Sequence, residues 1–357
     1  MTDQEAVEAR IDRRRRSRPR FADDRVTMAH GAGGKASRAL VEGVIVPAFD
    51  NPVLAGLGDA AVVPIEGGPV AMTTDSFVVR PIRFPGGSIG ELAVNGTIND
   101  LAVTGARAVA LSVGLILEEG LEASVLRAEV DAMAAAAAAA DVLLACGDTK
   151  VVERGRAEKL YVNTSGIGVV DRRARLDPAG VRSGDRVLVS GPIGDHGITI
   201  LLARGELELE AELESDTASL WPLVDALLDA CGDEVRALRD ATRGGVATVL
   251  NEIALAADVG VVVDEGAVPV RPVVTGACEL LGLDPLYVAN EGRLVAFVGA
   301  DATDDALAAL RSTAAGRDAA IVGEVVEDRR GRVLGRTSFG GHRMIDMLVG
   351  DPLPRIC

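Results

Sequence analysis

Helical and strand-like apolar runs follow one another along this chain without the strict strand–helix alternation that a doubly wound parallel sheet requires. That pattern predicts an α+β architecture. A polar segment, DRRARLDPAGVRSGD (171–185), carries a proline and two glycines and breaks the pattern near its middle. The 357 residues exceed what one ordinary core holds, so each side of the break is expected to be an α+β domain.

The spacing predicts a basic, disordered tail over 1–27, a first domain over 28–172, a second over 173–335, and a mobile tail over 336–357. In the first domain a glycine-rich turn opens a helix in MAHGAGGKASRALVEGVIVPAF, and the strand-like runs DAAVVPI and VAMTTDSFVV follow. Next come the helical SIGELAVNGTINDLAVTGA, the strand AVALSVGLIL, a long Ala-rich helix, a buried strand VLLAC and the strand LYVNTSGIGVV. The second domain opens with strand, turn and helix in RVLVSGPIGDHGITILLAR. Helices are expected over 217–230, 244–257, 272–282 and 303–315, with strands over 259–264, 293–298 and 318–326. Beyond 336 the periodicity dissolves, and from Gly340 an extended chain would reach about 55 Å.

Composition excludes several classes. The Ala-rich run is bracketed by Asp131 and Asp141, and no 18 uninterrupted apolar residues occur, so no membrane span is expected. The arginines of RIDRRRRSRPRF lead into polar residues instead of an apolar stretch, which is not a signal peptide, and a cytoplasmic location is expected. A formal charge of −16 disfavours nucleic acid as the main partner. Cys146, Cys231, Cys278 and Cys357 form no CxxC pair, which argues against a disulfide framework and against zinc. The first three read as small core residues, whereas Cys357, last in GDPLPRIC, reads as a reactive thiol outside both cores.

Four acids stand beside glycine or at the ends of apolar runs: Asp59 in GLGDAAVV, Asp75 in MTTDSFVV, Asp100 in GTINDLAV and Asp240 in RDATRGGVATVL. Each alone suits an ordinary turn or cap. Together they suit hard-cation chemistry, and HGAGGK adds backbone N–H groups at Gly33 and Gly34 with Lys35 at a helix start, which makes a Mg-ATP pocket. The loop is not a Walker A sequence, because Ala36 follows Lys35. In CGDTKVVERG, Asp148 and Lys150 follow a strand, as either a structural ion pair or a base and phosphate clamp. Glu291 and Arg293 in ANEGRLVAFV read as turn charges. His196 reads as a capping residue, and His30 and His342 suggest no metal cluster.

TTDSFVVRPIRFPGGSIGELAVNGTINDLAVTGA, GDTKVV, DATRGGVATVLNEIA, NEGR and the ending PRIC together resemble the HypE family, carbamoyl dehydratases of nickel–iron hydrogenase maturation. The likeness runs from Met28 to Cys357. It implies a two-domain fold like that of aminoimidazole ribonucleotide synthetase, with an N-terminal mixed sheet carrying helices on one face. It also implies ATP and Mg²⁺ as cofactors, a HypF-type carbamoyltransferase and a HypC–HypD iron scaffold as partners, and a homodimer through the N-terminal domains. The implied chemistry is ATP-dependent dehydration of a thiocarbamate on Cys357 to a thiocyanate. Asp59, Asp100 and Asp240 would then hold Mg²⁺, while Lys35, Gly33, Gly34, Asp75, Asn95 and Asp148 would line the nucleotide and phosphate site. Lys150 and Glu291 would join Cys357 in catalysis. Two other readings stay open at this point: a kinase-like relative acting on a small molecule, and a non-catalytic thiol carrier. The first is weakened because no cysteine precedes Cys146.

Overall fold

The computed structural model describes residues 21–357 apart from 22, 32–33, 50–52, 55–56, 67, 206–210, 338, 349, 351–352 and 354. Of the basic tail expected over 1–27, residues 1–20 and 22 lie outside the described residues, as does the candidate Gly33. Two sheets carry the architecture, one on each side of the polar break.

After the helical run α1 (Gly34–Leu40) come β1 (Ala61–Val63), β2 (Val70–Phe77) and the small hairpin β3 (Arg83–Phe84) and β4 (Gly87–Ser88). Helix α2 (Ile89–Val103), β5 (Ala106–Glu118), α3 (Ala123–Ala139), β6 (Leu143–Val152) and β7 (Leu160–Val170) complete the first half. The strands lie in the order β1-β2-β7-β5-β6, antiparallel except for the β5–β6 pair, which α3 connects. A parallel pair needs such a crossover, whereas the antiparallel neighbours do not.

Helix α2 begins where the sequence prescribes. Ser88 is extended and its hydroxyl accepts from the N–H of Glu91, the spacing of a capping box. Buried Glu129 of α3 accepts from the Gly90 N–H at 3.1 Å and so satisfies a second free donor of that helix end. A Cβ on Gly90 would lie 2.3 Å from the Glu129 carbonyl oxygen, so glycine is what lets α2 and α3 approach.

The second half contains β8 (Arg186–Val189), α4 (Asp195–Arg204), α5 (Trp221–Cys231), β9 (Val235–Asp240), α6 (Gly245–Ala257), β10 (Gly260–Asp264) and α7 (Pro272–Leu281). It ends with β11 (Leu294–Val298), α8 (Thr303–Arg311), β12 (Ala320–Val326), β13 (Arg332–Arg336) and β14 (His342–Ile345). Their order is β14-β13-β10-β12-β8-β11-β9. Interior strand β11, LVAFV, is buried at every position, as a continuous apolar run in a covered sheet should be.

The halves share apolar cores. Ala102 and Val103 of α2 pack with Leu188, Leu220 and Leu223 from the second half. Asn99 bolts the same seam, because its side-chain N–H groups donate to the carbonyls of Ala218 and Glu291 and its Oδ1 accepts from the N–H of Leu220.

Three expectations need correction. VLLAC is not buried beyond Val142: β6 is a sheet edge, with Leu143 68% and Val151 67% exposed, and Cys146 is exposed as well. Cys231 is only half-buried. The periodicity does not end at 336, because HRMI forms β14 by pairing with β13, a register that only the tertiary structure supplies.

Candidate functional site

A cavity of about 180 Å³ opens where the two halves meet, lined by Asp75, Phe77, Gly96, Asp100, Asp240, Thr242, Arg243, Glu291 and Cys357. Its walls come from distant segments. Asp75 and Phe77 share one face of β2, and Gly96 and Asp100 lie on α2 beneath it. Asp240 ends β9, Thr242 and Arg243 occupy the turn into α6, and Glu291 precedes β11. Gly244 and Gly245 follow with φ of 75° and 58°, and a Cβ on Gly245 would meet the Leu286 carbonyl oxygen at 2.5 Å. Only glycine fits that turn, which carries Arg243 into the cavity.

The acids are crowded and short of cations. Burial pushes the Asp100 carboxyl well above the ordinary carboxylate range, and the charges of Asp75, Asp240 and Asp59 push it further. Burial does the same to Asp240, with Asp59 and Asp75 adding to it, and to Glu291, with Asp240, Asp216 and Asp75 adding. Asp75 is also raised, chiefly by burial, with Arg243 opposing the shift and the charge of Asp59 adding to it. Asp100 Oδ2 accepts from the Thr73 hydroxyl at 2.7 Å. Asp59 stands just behind, its Oδ2 paired at 2.5 Å with Arg239.

Cys357 is where the structure departs most from the sequence reading. The last residues are tucked in: Cys357 and Ile356 are buried and join the apolar cluster of Phe84, Ile198, Val274 and Val288. Arg243 Nε donates to Cys357 Sγ at 3.0 Å, and its Nη1 donates to the Gly31 carbonyl at 3.0 Å. A guanidinium beside sulfur favours negative charge on it. Arg243 was not singled out in the sequence. Its signal was a bulky cation in DATRGG, a turn otherwise built of small residues.

Of the residues expected from sequence, Asp75, Asp100, Asp240, Glu291 and Cys357 line one cavity, and Asp59 is coupled to it by charge. Others stand apart. Lys35 is paired with Asp346 at 2.9 Å and half-exposed, with Gly34 beginning its helix. Asn95 is buried on α2 beside Gly96 but is not a lining residue. Asp148 and Lys150 pair with each other at 2.6 Å on the exposed edge strand. Their register partners Gly114 and Ile116 align with Asn163 and Tyr161, on the sheet face opposite Asp75 and Phe77. His196, expected as a cap, is fully buried.

Among the described residues no three carboxylate, thiol or imidazole groups converge into a ready metal-ligand set. No described helix is long and apolar enough to cross a membrane.

Residues 57–170 match the model of the AIR synthase related protein N-terminal domain, and 182–336 match that of its C-terminal domain. The carbamoyl dehydratase HypE of Rhodobacter capsulatus is 52% identical over 338 residues, 94% of this chain and 99% of that protein. Two solved structures share the fold. A HypE–HypF complex superposes with a TM-score of 0.82 at 42% identity, covering 87% of this chain and 100% of that one. HypE in complex with ATP gives 0.78 at 46% identity, covering 93% and 100%. With its two domains, its acid-lined cavity and its buried terminal thiol, the chain belongs to the HypE family of carbamoyl dehydratases.

Proposed function

We propose that this protein dehydrates a carbamoyl group, carried as a thiocarbamate on Cys357, to a thiocyanate at the expense of ATP, and so supplies the cyanide ligands of the nickel–iron hydrogenase iron centre. The observation that carries the reading is the position of the Cys357 thiol. It lies inside a cavity whose other walls are the Arg243 guanidinium, the Glu291 carboxyl and three crowded aspartates.

Converting S–C(=O)–NH₂ into S–C≡N requires the oxygen to leave and both nitrogen protons to be removed. ATP supplies the phosphoryl group with which that oxygen departs as phosphate. Arg243 holds the sulfur and offsets charge that builds on the group attached to it. Glu291 is the candidate proton acceptor, since its Oε1 is buried without a hydrogen-bond partner and burial raises its basicity. A Cβ on Gly96 would lie 2.8 Å from the Phe77 ring, so glycine is what lets that ring close against α2 in the cavity wall.

The crowded acids suit Mg²⁺, a hard cation that takes carboxylate oxygens together with phosphate and water. Asp59, Asp100 and Asp240 would hold it with Asp75 alongside, and it would supply charge neutralisation at the phosphates. Gly33, Gly34 and Lys35 are assigned to phosphate contact and Asn95 to the nucleotide side of α2.

The outer face of the first sheet exposes Met72, Ile116, Ile167 and Val169, an apolar surface suited to a second copy of the chain. In such a homodimer Asp148 and Lys150 face the partner copy; Asp148 is assigned to the nucleotide site, and Lys150 to proton transfer or orientation of the thiocarbamate. A HypF-type carbamoyltransferase is the proposed loader of Cys357, a HypC–HypD scaffold the acceptor, and the cytoplasm the proposed location.

Intact-mass measurement tests the reading. Adding Mg-ATP to protein loaded with a carbamoyl group on Cys357 should remove the mass of one water. An unchanged mass would leave a thiol carrier and defeat the dehydratase.

A further inference from the structure

The end of the chain is gripped at more points than burial of one thiol requires. His196 is fully buried, and its Nε2 meets the Ile356 carbonyl at 2.6 Å while its Nδ1 meets the Ser215 hydroxyl at 2.8 Å. Ser215 Oγ also accepts from the Thr217 N–H at 3.2 Å. These contacts have one consistent polarity: Thr217 N–H to Ser215 Oγ, Ser215 O–H to Nδ1, and Nε2–H to the Ile356 carbonyl. Burial holds the imidazole down at about 4, so it is neutral at neutral pH and each ring nitrogen has a single role. The ring is also set edge-on against Phe84, with centroids 5.6 Å apart.

The neighbouring groups continue the series. The Val78 N–H donates to the Cys357 carbonyl oxygen at 3.1 Å, and Arg204 donates to the Arg355 carbonyl and, at 2.6 Å, to that of Arg80. Glu158 pairs with the Arg355 side chain. Three consecutive main-chain carbonyls are therefore read by three separate donors, while the Ile356 side chain enters an apolar floor.

We infer that Val78, Glu158, His196, Arg204 and Arg243 form a receptor for the chain's own last three residues, Arg355, Ile356 and Cys357, in which His196 sets the register that delivers the thiol to Arg243. The grip on Ile356 does not depend on any later chemistry at sulfur. A one-residue slip would place a side chain where a carbonyl is read and withdraw the sulfur from Arg243. His196 is thus a positioning residue, acting on the reactive atom through the peptide it holds.

The test is the rate at which iodoacetamide alkylates Cys357 in the full-length protein, read by intact mass and by mapping of the peptide 351–357, with Cys146, on β6 away from the cavity, as an internal reference. His196→Ala should accelerate labelling of Cys357 by roughly tenfold, the population shift expected from losing one buried hydrogen bond, with Cys146 unchanged. His196→Gln, which keeps an N–H near the Nε2 position, should restore most of the protection. Ser215→Ala frees the ring to adopt the other tautomer and should accelerate labelling by a smaller factor; it carries the test alone if His196→Ala does not fold. Unchanged Cys357 labelling in both variants would overturn the inference. So would equal acceleration at Cys146 and Cys357, which would report general loosening. Because the readout uses neither ATP nor a carbamoyl group, it stands or falls separately from the dehydratase reading.

Discussion

Arg243 donates one hydrogen bond to Cys357 Sγ and another to the Gly31 carbonyl, so a single guanidinium ties the terminal thiol to the loop that precedes the first helix. Its positive charge is favoured first by its closeness to Cys357 and then by Asp75 and Glu291, against the cost of burial. The sulfur and the glycine-rich segment are thereby coupled through one side chain.

Removing that link should damage the chemistry more than the fold. Arg243→Ala is expected to slow water loss from the loaded protein by about 100-fold, the scale of losing one preorganised electrostatic contact. Arg243→Lys should recover little, because an ammonium lacks the planar fork that serves two acceptors. Single-turnover intact mass is the measurement, and a rate within about twofold of the parent would remove Arg243 from the mechanism.

The crowded acids should make the protein sensitive to pH. Asp100, Asp240 and Glu291 hold their protons to higher pH in the folded chain than when unfolded, so the folded state binds more protons across that window. Their contribution to stability is therefore favourable below the unfolded values, near pH 4, and is lost as pH rises through the raised folded values. In Mg²⁺-free buffer the denaturation midpoint should fall as pH rises from about 4 through the raised folded values, and Asp240→Asn should flatten that fall and raise Tm by at least about 2 °C at its alkaline end. An Asp240→Asn variant less stable than the parent under those conditions would contradict the electrostatic picture.

The exposed sheet face makes a separate prediction. Ile167→Glu places a charge at the centre of that face, at a position already 45% exposed, so the single chain should stay folded. Sedimentation velocity should find two chains per particle in the parent and one in the variant. A parent that sediments as one chain would dispose of the homodimer.

Sequence reading recovered the parts governed by local rules. Helix α2 was legible because its spacing and its serine start both lie in the sequence, and Asp59, Asp75, Asp100 and Asp240 stood out as acids at element ends, whereas Glu291 read as a turn charge and gained a role only through the resemblance. Lys35 and Lys150 were harder, since a lysine beside glycine or on a strand has no visible partner until the register fixes its face. The edge position of β6 made VLLAC read as core, because an apolar strand looks the same whether a helix or another molecule covers it. Cys357 was read as outside both cores for a related reason. Its neighbours Phe84, Ile198 and Val274 are scattered through the chain, and only the folded arrangement brings them around the terminus.

Asn99 has a consequence for where movement can arise. Three hydrogen bonds from one buried amide, each contributing roughly 0.5–1.5 kcal/mol, lie alongside the apolar contacts of α2 with the second half, so prising the two halves apart means breaking the seam along its whole length. The polar contacts that hold the carboxy-terminal strip by its last three residues are separate from that seam, so the strip can come away without disturbing it. A cycle that must expose the sulfur is therefore run more cheaply by peeling that strip than by hinging the body, and the jaws of the cleft can stay set while their cargo comes and goes.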